Sequence, residues 1–130
     1  MHARLLDKLK TYGVKTAAFD VMFLDPMDND QELVDATRRF GKVIHLFTTK
    51  AQDTAHGQVV DVTLPIKGLL EASQYLGYPN IDLVIDNDGH VRRSRMFDKR
   101  ASDQKDSDRI APSMDIVAAA SFLDKPVSEF

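Results

Sequence analysis

Residues 16–24 read Thr-Ala-Ala-Phe-Asp-Val-Met-Phe-Leu, apolar at consecutive rather than alternate positions, with one carboxylate, Asp20, at the centre. A segment greasy on both sides predicts a strand inside a sheet that is covered on both faces. Asp20 then needs a partner, a strand end or a task, because a lone charge in such a strand is costly. The chain of 130 residues is long enough to bury a core of this kind as one domain without covalent staples. It has no cysteine, so neither a disulfide nor a thiolate metal site contributes.

The flanks predict helices and strands in alternation. Leu5, Leu6 and Leu9 mark one face of a helix over residues 2–12, and Gly13 sits where a left-handed cap would end it. Asp25-Pro26 breaks the first strand. Asn29 and Glu32 have capping-box spacing for a helix through Phe40, with Leu33, Ala36, Thr37 and Phe40 inward and Gly41 as its stop. Residues 42–49 read as a second buried strand, so strand, helix and strand form a parallel crossover unit. Residues 50–58 read as a polar loop, residues 59–64 as a weaker strand, and residues 66–76 as a helix closed by Gly77.

Further on, residues 81–85 and 91–97 flank Asp86-Asn87-Asp88-Gly89, a hairpin signal in which glycine supplies a positive φ. Residues 98–110 mix charges of both signs and read as a solvated segment. Pro112-Ser113 opens a last helix with Met114, Val117, Ala118, Ser121 and Phe122 inward, ended by Lys125-Pro126. The expected fold is α/β, a layered sandwich with a mostly parallel central sheet and an antiparallel hairpin at one edge.

Composition narrows the function classes. A net charge of −3 lacks the basic footprint of a nucleic-acid binder. No apolar run reaches the ~20 residues that span a bilayer, and the N-terminus lacks the apolar stretch of a signal peptide. No glycine-rich phosphate loop, dinucleotide fingerprint, serine–histidine pair or zinc spacing among His2, His45, His56 and His90 is present. His45, inside an apolar strand, reads as a hydrogen-bonded core residue.

Acids gather at expected strand ends: Asp20, Asp25, Asp28, Asp30, Asp86 and Asp88. Open α/β sheets bind ligands there. One chemical reading is a magnesium-dependent phosphatase of the haloacid dehalogenase type. Asp20 would be the nucleophile, Thr48 or Thr49 and Lys67 would hold phosphate, and Asp86 with Asp88 would hold the metal. That chemistry needs a second carboxyl two positions after the nucleophile as proton donor, and Met22 stands there instead. The competing reading is that Asp28 to Asp30 cap a helix and Asp86 to Gly89 form a turn. Asp86 and Asp88 also lack the third ligand and late glutamate of a calcium loop. Arg92, Arg93 and Arg95 either present an anion-binding face or blunt an edge strand with charge.

Several stretches taken in order carry a resemblance: Ala17-Ala-Phe-Asp20-Val-Met-Phe-Leu-Asp25-Pro26, then Asp30 and a helix, the strand over residues 42–47, Leu64-Pro65, Gly77-Tyr-Pro-Asn80, Asp86-Asn-Asp-Gly89-His-Val-Arg92-Arg93, and Pro112-Ser113. Over nearly its whole length the chain resembles the type-two CHASE domain, the extracellular sensory module of cyclases and histidine kinases. The resemblance implies a single extracytoplasmic sensor domain over residues 1–130, tethered in a bacterial membrane receptor. The output would be a histidine kinase, a nucleotide cyclase or a diguanylate cyclase. Members carry a strand and a tryptophan–proline segment ahead of the first helix, so we expect a fragment of a longer receptor. It implies no catalytic residue, no metal and no cofactor. The expected partner is a small-molecule or protein signal, with a homodimer allowed and nucleic acid excluded. The expected ligand-facing residues are Asp20, Asp25, Asp30, Asn80, Arg92 and Arg93, with Asp20 bonded to nearby backbone or to Arg92. A ligand-free structural or dimerisation module is the remaining alternative.

Overall fold

The computed structural model describes residues 1–54, 57–79, 84–93, 96–99 and 110–130. Three parallel strands form the central sheet: β1 (Ala17–Phe19), β2 (Val43–Leu46) and β5 (Tyr75–Gly77), in the order β1-β2-β5. Their registers pair Ala17 with Val43, Phe19 with His45, and Leu46 with Gly77. The mixed α/β class read from the sequence is the one found.

Helix α1 (His2–Thr11) and helix α2 (Asp30–Phe40) pack on one face of this sheet. Ala3, Leu6, Leu33, Val34, Ala36, Phe40, Val43 and Leu69 form one buried core between them, β2 and helix α3 (Lys67–Ala72). Leu5, expected inside, is 47% exposed. The stripe of α1 is instead Ala3 with Leu6, three residues apart as a helix requires. Arg39 of α2 grips Asp7 of α1 in a two-pronged ion pair, with Nη2 2.9 Å from Oδ2 and Nε 3.2 Å from Oδ1. Gly68 lets α3 approach α2, since a Cβ there would lie 2.9 Å from Val34 Cγ2.

Helix α4 (Met114–Leu123) covers the other face, touching all three strands. Ile116, Val117, Ala120 and Ser121 turn inward, while Phe122, expected inside, is 54% exposed. Ser113 caps α4 by accepting the Ile116 amide at 3.4 Å. Gly77 is the close approach on this side, because an added Cβ would stand 2.7 Å from Met114 Cα.

Four expectations change. The first strand is three residues long, not nine, and lies at one edge of the sheet with Asp20 just past its end. Residues 50–58 are not a plain loop. Strand β3 (Thr48–Thr54) and strand β4 (Gly57–Thr63) pair antiparallel from Thr48↔Thr63 to Thr54↔Gly57, as their β-branched Thr and Val content allows. The helix expected to run to Gly77 ends at Ala72, and Tyr75–Gly77 joins β2 as a strand. Pairing with a buried neighbour overrides the local helical spacing of Leu69, Leu70, Ser73 and Leu76. Asn29 precedes α2 but makes no side-chain cap. Asp30 instead takes the Met27 amide at 2.6 Å.

The hairpin at Gly89 forms as expected, with strand β6 (Val84–Ile85) against strand β7 (Val91–Arg93) and a φ of +79° at the glycine. The expected continuation of β7 to residue 97 is not seen in the described residues. Strand β8 (Phe97–Lys99) pairs instead with strand β9 (Ile110–Pro112), so both ends of the expected solvated segment are strand. Residues 100–109 lie outside the described part. The three ribbons are separate two-stranded sheets, not extensions of the central one. Tyr78 joins β5 to the start of α4. Its amide donates to Pro112 O at 3.1 Å, and its carbonyl accepts the Met114 amide at 2.9 Å.

Candidate functional site

The carboxyl ends of β1, β2 and β5 share one edge of the sheet because the strands are parallel. The chain leaves β1 there, passes Asp20 and Phe23, and enters α2 at Asp30. The N-terminus of α1 returns to the same edge, as the contact of His2 with Phe19 and Phe23 requires. Between these three segments lies an open pocket of about 250 Å³.

Its walls divide by chemistry. Ala3, Phe23, Met27 and Leu33 supply an apolar surface, and Asp30 with Glu32 places two carboxylates at the mouth of α2. Acids are stabilised at that position by the amino end of a helix. Among the described residues no lysine or arginine lines it. The arrangement suits a small molecule with an apolar body and a donor or cationic end.

Behind Phe23 the packing is aromatic. Phe19 and Phe23 meet edge to face at 5.7 Å, and the His2 ring stands perpendicular to both, at 5.7 and 5.4 Å. His45, one strand further in, stacks flat on Phe19 at 5.2 Å and meets Phe23 edge-on at 5.6 Å. His45 is wholly buried. Its Nε2 shares a hydrogen bond with Thr37 Oγ1 at 3.5 Å, the outer limit for such a bond, and its Nδ1 has no partner. The core role expected for His45 is therefore right, but its hydrogen bonding is half complete. Burial pushes its pKa down from 6.5 to about 4, so the ring is neutral at pH 7.

Among the described residues, the expected ligand-facing acids all lie between β1 and the start of α2. Asp30 lines the pocket. Asp20 and Asp25 are exposed and belong to the same loop without lining it. Asp20 takes no hydrogen bond from a backbone donor among the described residues, and the Arg92 side chain expected as its other partner lies outside them. Asp20 lies past the strand end, where water solvates it. Asn80 lies outside the described residues. Arg92 and Arg93 have their backbones in β7, and their side chains lie outside the described part. For the phosphatase arrangement, Thr48 and Thr49 open the β3–β4 ribbon. Lys67 is exposed beside Glu71, and Asp86 and Asp88 sit in the β6–β7 turn. Among the described residues no group of three acids or histidines could hold a metal ion. Sequence reasoning missed His2, Phe23, Met27 and Glu32 as pocket residues. Glu32 had been noticed only for its capping spacing.

The chain matches the family model of the CHASE2 domain over residues 1–129. It belongs to that family. CHASE2 domains are extracellular sensory modules of signalling receptors, so the fold just described is a sensory domain. No curated protein and no solved structure matches the chain. Among the described residues of this CHASE2 domain, no helix is long and apolar enough to cross a membrane.

Proposed function

We propose that this CHASE2 domain is the extracytoplasmic signal-input module of a bacterial membrane receptor with a kinase, nucleotide cyclase or diguanylate cyclase output. A small molecule held at the carboxyl edge of the sheet would be its signal. Membership of the family over nearly the whole chain is the observation that carries this reading. The pocket between α1, Phe23 and α2 supports a ligand at that edge, because open parallel sheets bind there. Of the acids expected to face the ligand, Asp30 lines this pocket, and Asp20 and Asp25 belong to the loop beside it. Occupancy acts on the output only if the ligand prefers one of two receptor states.

Thermal-shift screening of small amines, amino acids and their neutral analogues tests the site. A ligand that binds only the native fold at 100 times its Kd adds about 2.7 kcal/mol of apparent stability. The expected hit raises the Tm of the wild-type domain and loses that effect in Asp30→Ala or Leu33→Arg. A hit untouched by both substitutions would place the ligand elsewhere. A screen with no hit would favour a ligand-free structural role.

A further inference from the structure

We propose that acid opens the carboxyl-edge pocket by placing a proton on His45, whose ring backs the Phe23 wall. His45 has every property of a group that cannot take a proton where it is. It is fully buried, lies flat on Phe19, meets Phe23 edge-on and leaves Nδ1 without an acceptor. A proton on the ring would turn Nδ1 into a second donor with nothing to donate to, in a layer of hydrocarbon.

Among the described residues packed on it no carboxylate compensates a charge, and the Phe19 face offers only a weak π attraction. Phe19 faces it from β1, Phe23 from the following loop, and Thr37 from α2. Leu76 lies opposite it on β5. From α1 the nearest titratable group is His2, which touches Phe19 and Phe23. Asp20 follows Phe19 directly but is exposed, and Asp30 and Glu32 line the pocket with no contact to the His45 ring among those described. Burial alone accounts for the weakened basicity of His45.

Relief has one short route. Phe23 lies in a loop at the surface and is only half-buried, whereas Phe19 and Thr37 belong to a strand and a helix. Swinging Phe23 outward admits water to His45 and removes the wall of the pocket in one movement. Where the loop backbone moves with the ring it also releases α3, because the Ile66 amide donates to the Phe23 backbone carbonyl at 2.8 Å and Ile66 is the residue ahead of that helix. One loop residue, through its ring and its carbonyl, thus connects a protonation site, a ligand pocket and a helix start.

The use of this opening as signal regulation rests on the sensory reading above, but the opening itself is measurable without any ligand. Amide hydrogen exchange at Ile66, corrected for the intrinsic pH dependence of exchange, reads the released bond. The fall from 6.5 to about 4 corresponds to a rise in the open population of about 100-fold between pH 7 and pH 4. We expect that rise in the wild-type domain with far-UV circular dichroism unchanged, and a flat profile in His45→Phe. The His45→Leu variant serves if His45→Phe does not fold, and His90→Gln, at the exposed β6–β7 turn, should keep the wild-type profile. A flat wild-type profile, the same rise without His45, loss of the rise in His90→Gln, or global unfolding over the same range would each overturn the proposal. Acid opening with no ligand found leaves the switch intact and counts against the sensory pocket. Ligand binding with no acid opening does the reverse.

Discussion

The two ends of the central sheet are closed by different physics. At the amino end Lys42 is fixed by directional bonds. Its Nζ donates to Ser121 O at 3.1 Å and pairs with Asp124, and nearby Thr16 Oγ1 meets Ser121 Oγ at 3.1 Å. These atoms stand partly in water and can exchange partners with it at little cost. At the carboxyl end four rings, His2, Phe19, Phe23 and His45, stack and cross with a single long hydrogen bond among them. Ring packing tolerates sliding, but a buried charge within it lacks the water or carboxylate that would stabilise it. The amino end is therefore locked yet chemically forgiving, and the carboxyl end is adjustable yet sensitive to protons.

The largest test of that contrast is pH. The folded pKa of His45 is depressed, so the stability tied to its neutral ring is fully present above pH 6.5. It drains away as pH falls and is gone by about pH 4, because the unfolded chain takes up the proton first. At 1.36 kcal/mol for each unit this amounts to about 3 kcal/mol. Urea unfolding at pH 7 and pH 4 measures it, with His45→Phe as the reference that lacks this part of the slope. An identical slope in the two proteins would show that the ring layer is not the sensitive end.

At the amino end, the Asp124 carboxyl is held below the usual range by its hydrogen bond from Lys42 and by the Lys42 charge, with Lys15 adding to it. Its contribution is present above the unfolded value of 3.8 and is lost only as pH falls through the lowered one. The two ends therefore titrate in separate windows.

Next in size is Phe23→Ala. A fully buried phenylalanine costs about 3–5 kcal/mol when truncated, and a half-buried one at a pocket wall about 2 kcal/mol. The same variant should flatten the acid response of Ile66, since the swinging wall is gone. The smallest effect is expected for Lys42→Met at the other end. Its partner Asp124 is 66% exposed, so the midpoint should drop slightly at low salt and return at high salt. A large, salt-independent loss there would make the amino end the more vulnerable one.

How far the sequence foretold this depends on whether a residue acts through its neighbours in sequence or in space. Helices α1, α2 and α4, strand β2 and the turn at Gly89 were legible, because apolar periodicity and glycine stops are local signals. Strand β5 was not, because Tyr75-Leu76-Gly77 becomes a strand only by lying along β2. Strand β4 was legible as residues 59–64, but its partner β3 was hidden by its polar residues, which strands tolerate when one face meets water. At the site, Asp30 was found among strand-end acids, but Phe23 and His2 carry no signal of their own. Their position at the pocket comes from the return of α1 to the edge where β1 ends. Asp20, conspicuous as a charge amid apolar residues, is conspicuous only if the strand runs through it, and the strand stops one residue earlier.

The bonds of Tyr78 to Pro112 and Met114 have a further consequence, for how the domain can vary in length. They close a loop of about 35 residues whose two ends are pinned side by side, while the β6–β7 and β8–β9 ribbons lie within it. Once the ends of a loop are fixed, doubling its length costs only about 0.6 kcal/mol in chain entropy. Insertions at the β6–β7 turn should therefore leave the sheet and α4 in place. An added recognition loop could be carried there without disturbing the aromatic layer at the pocket.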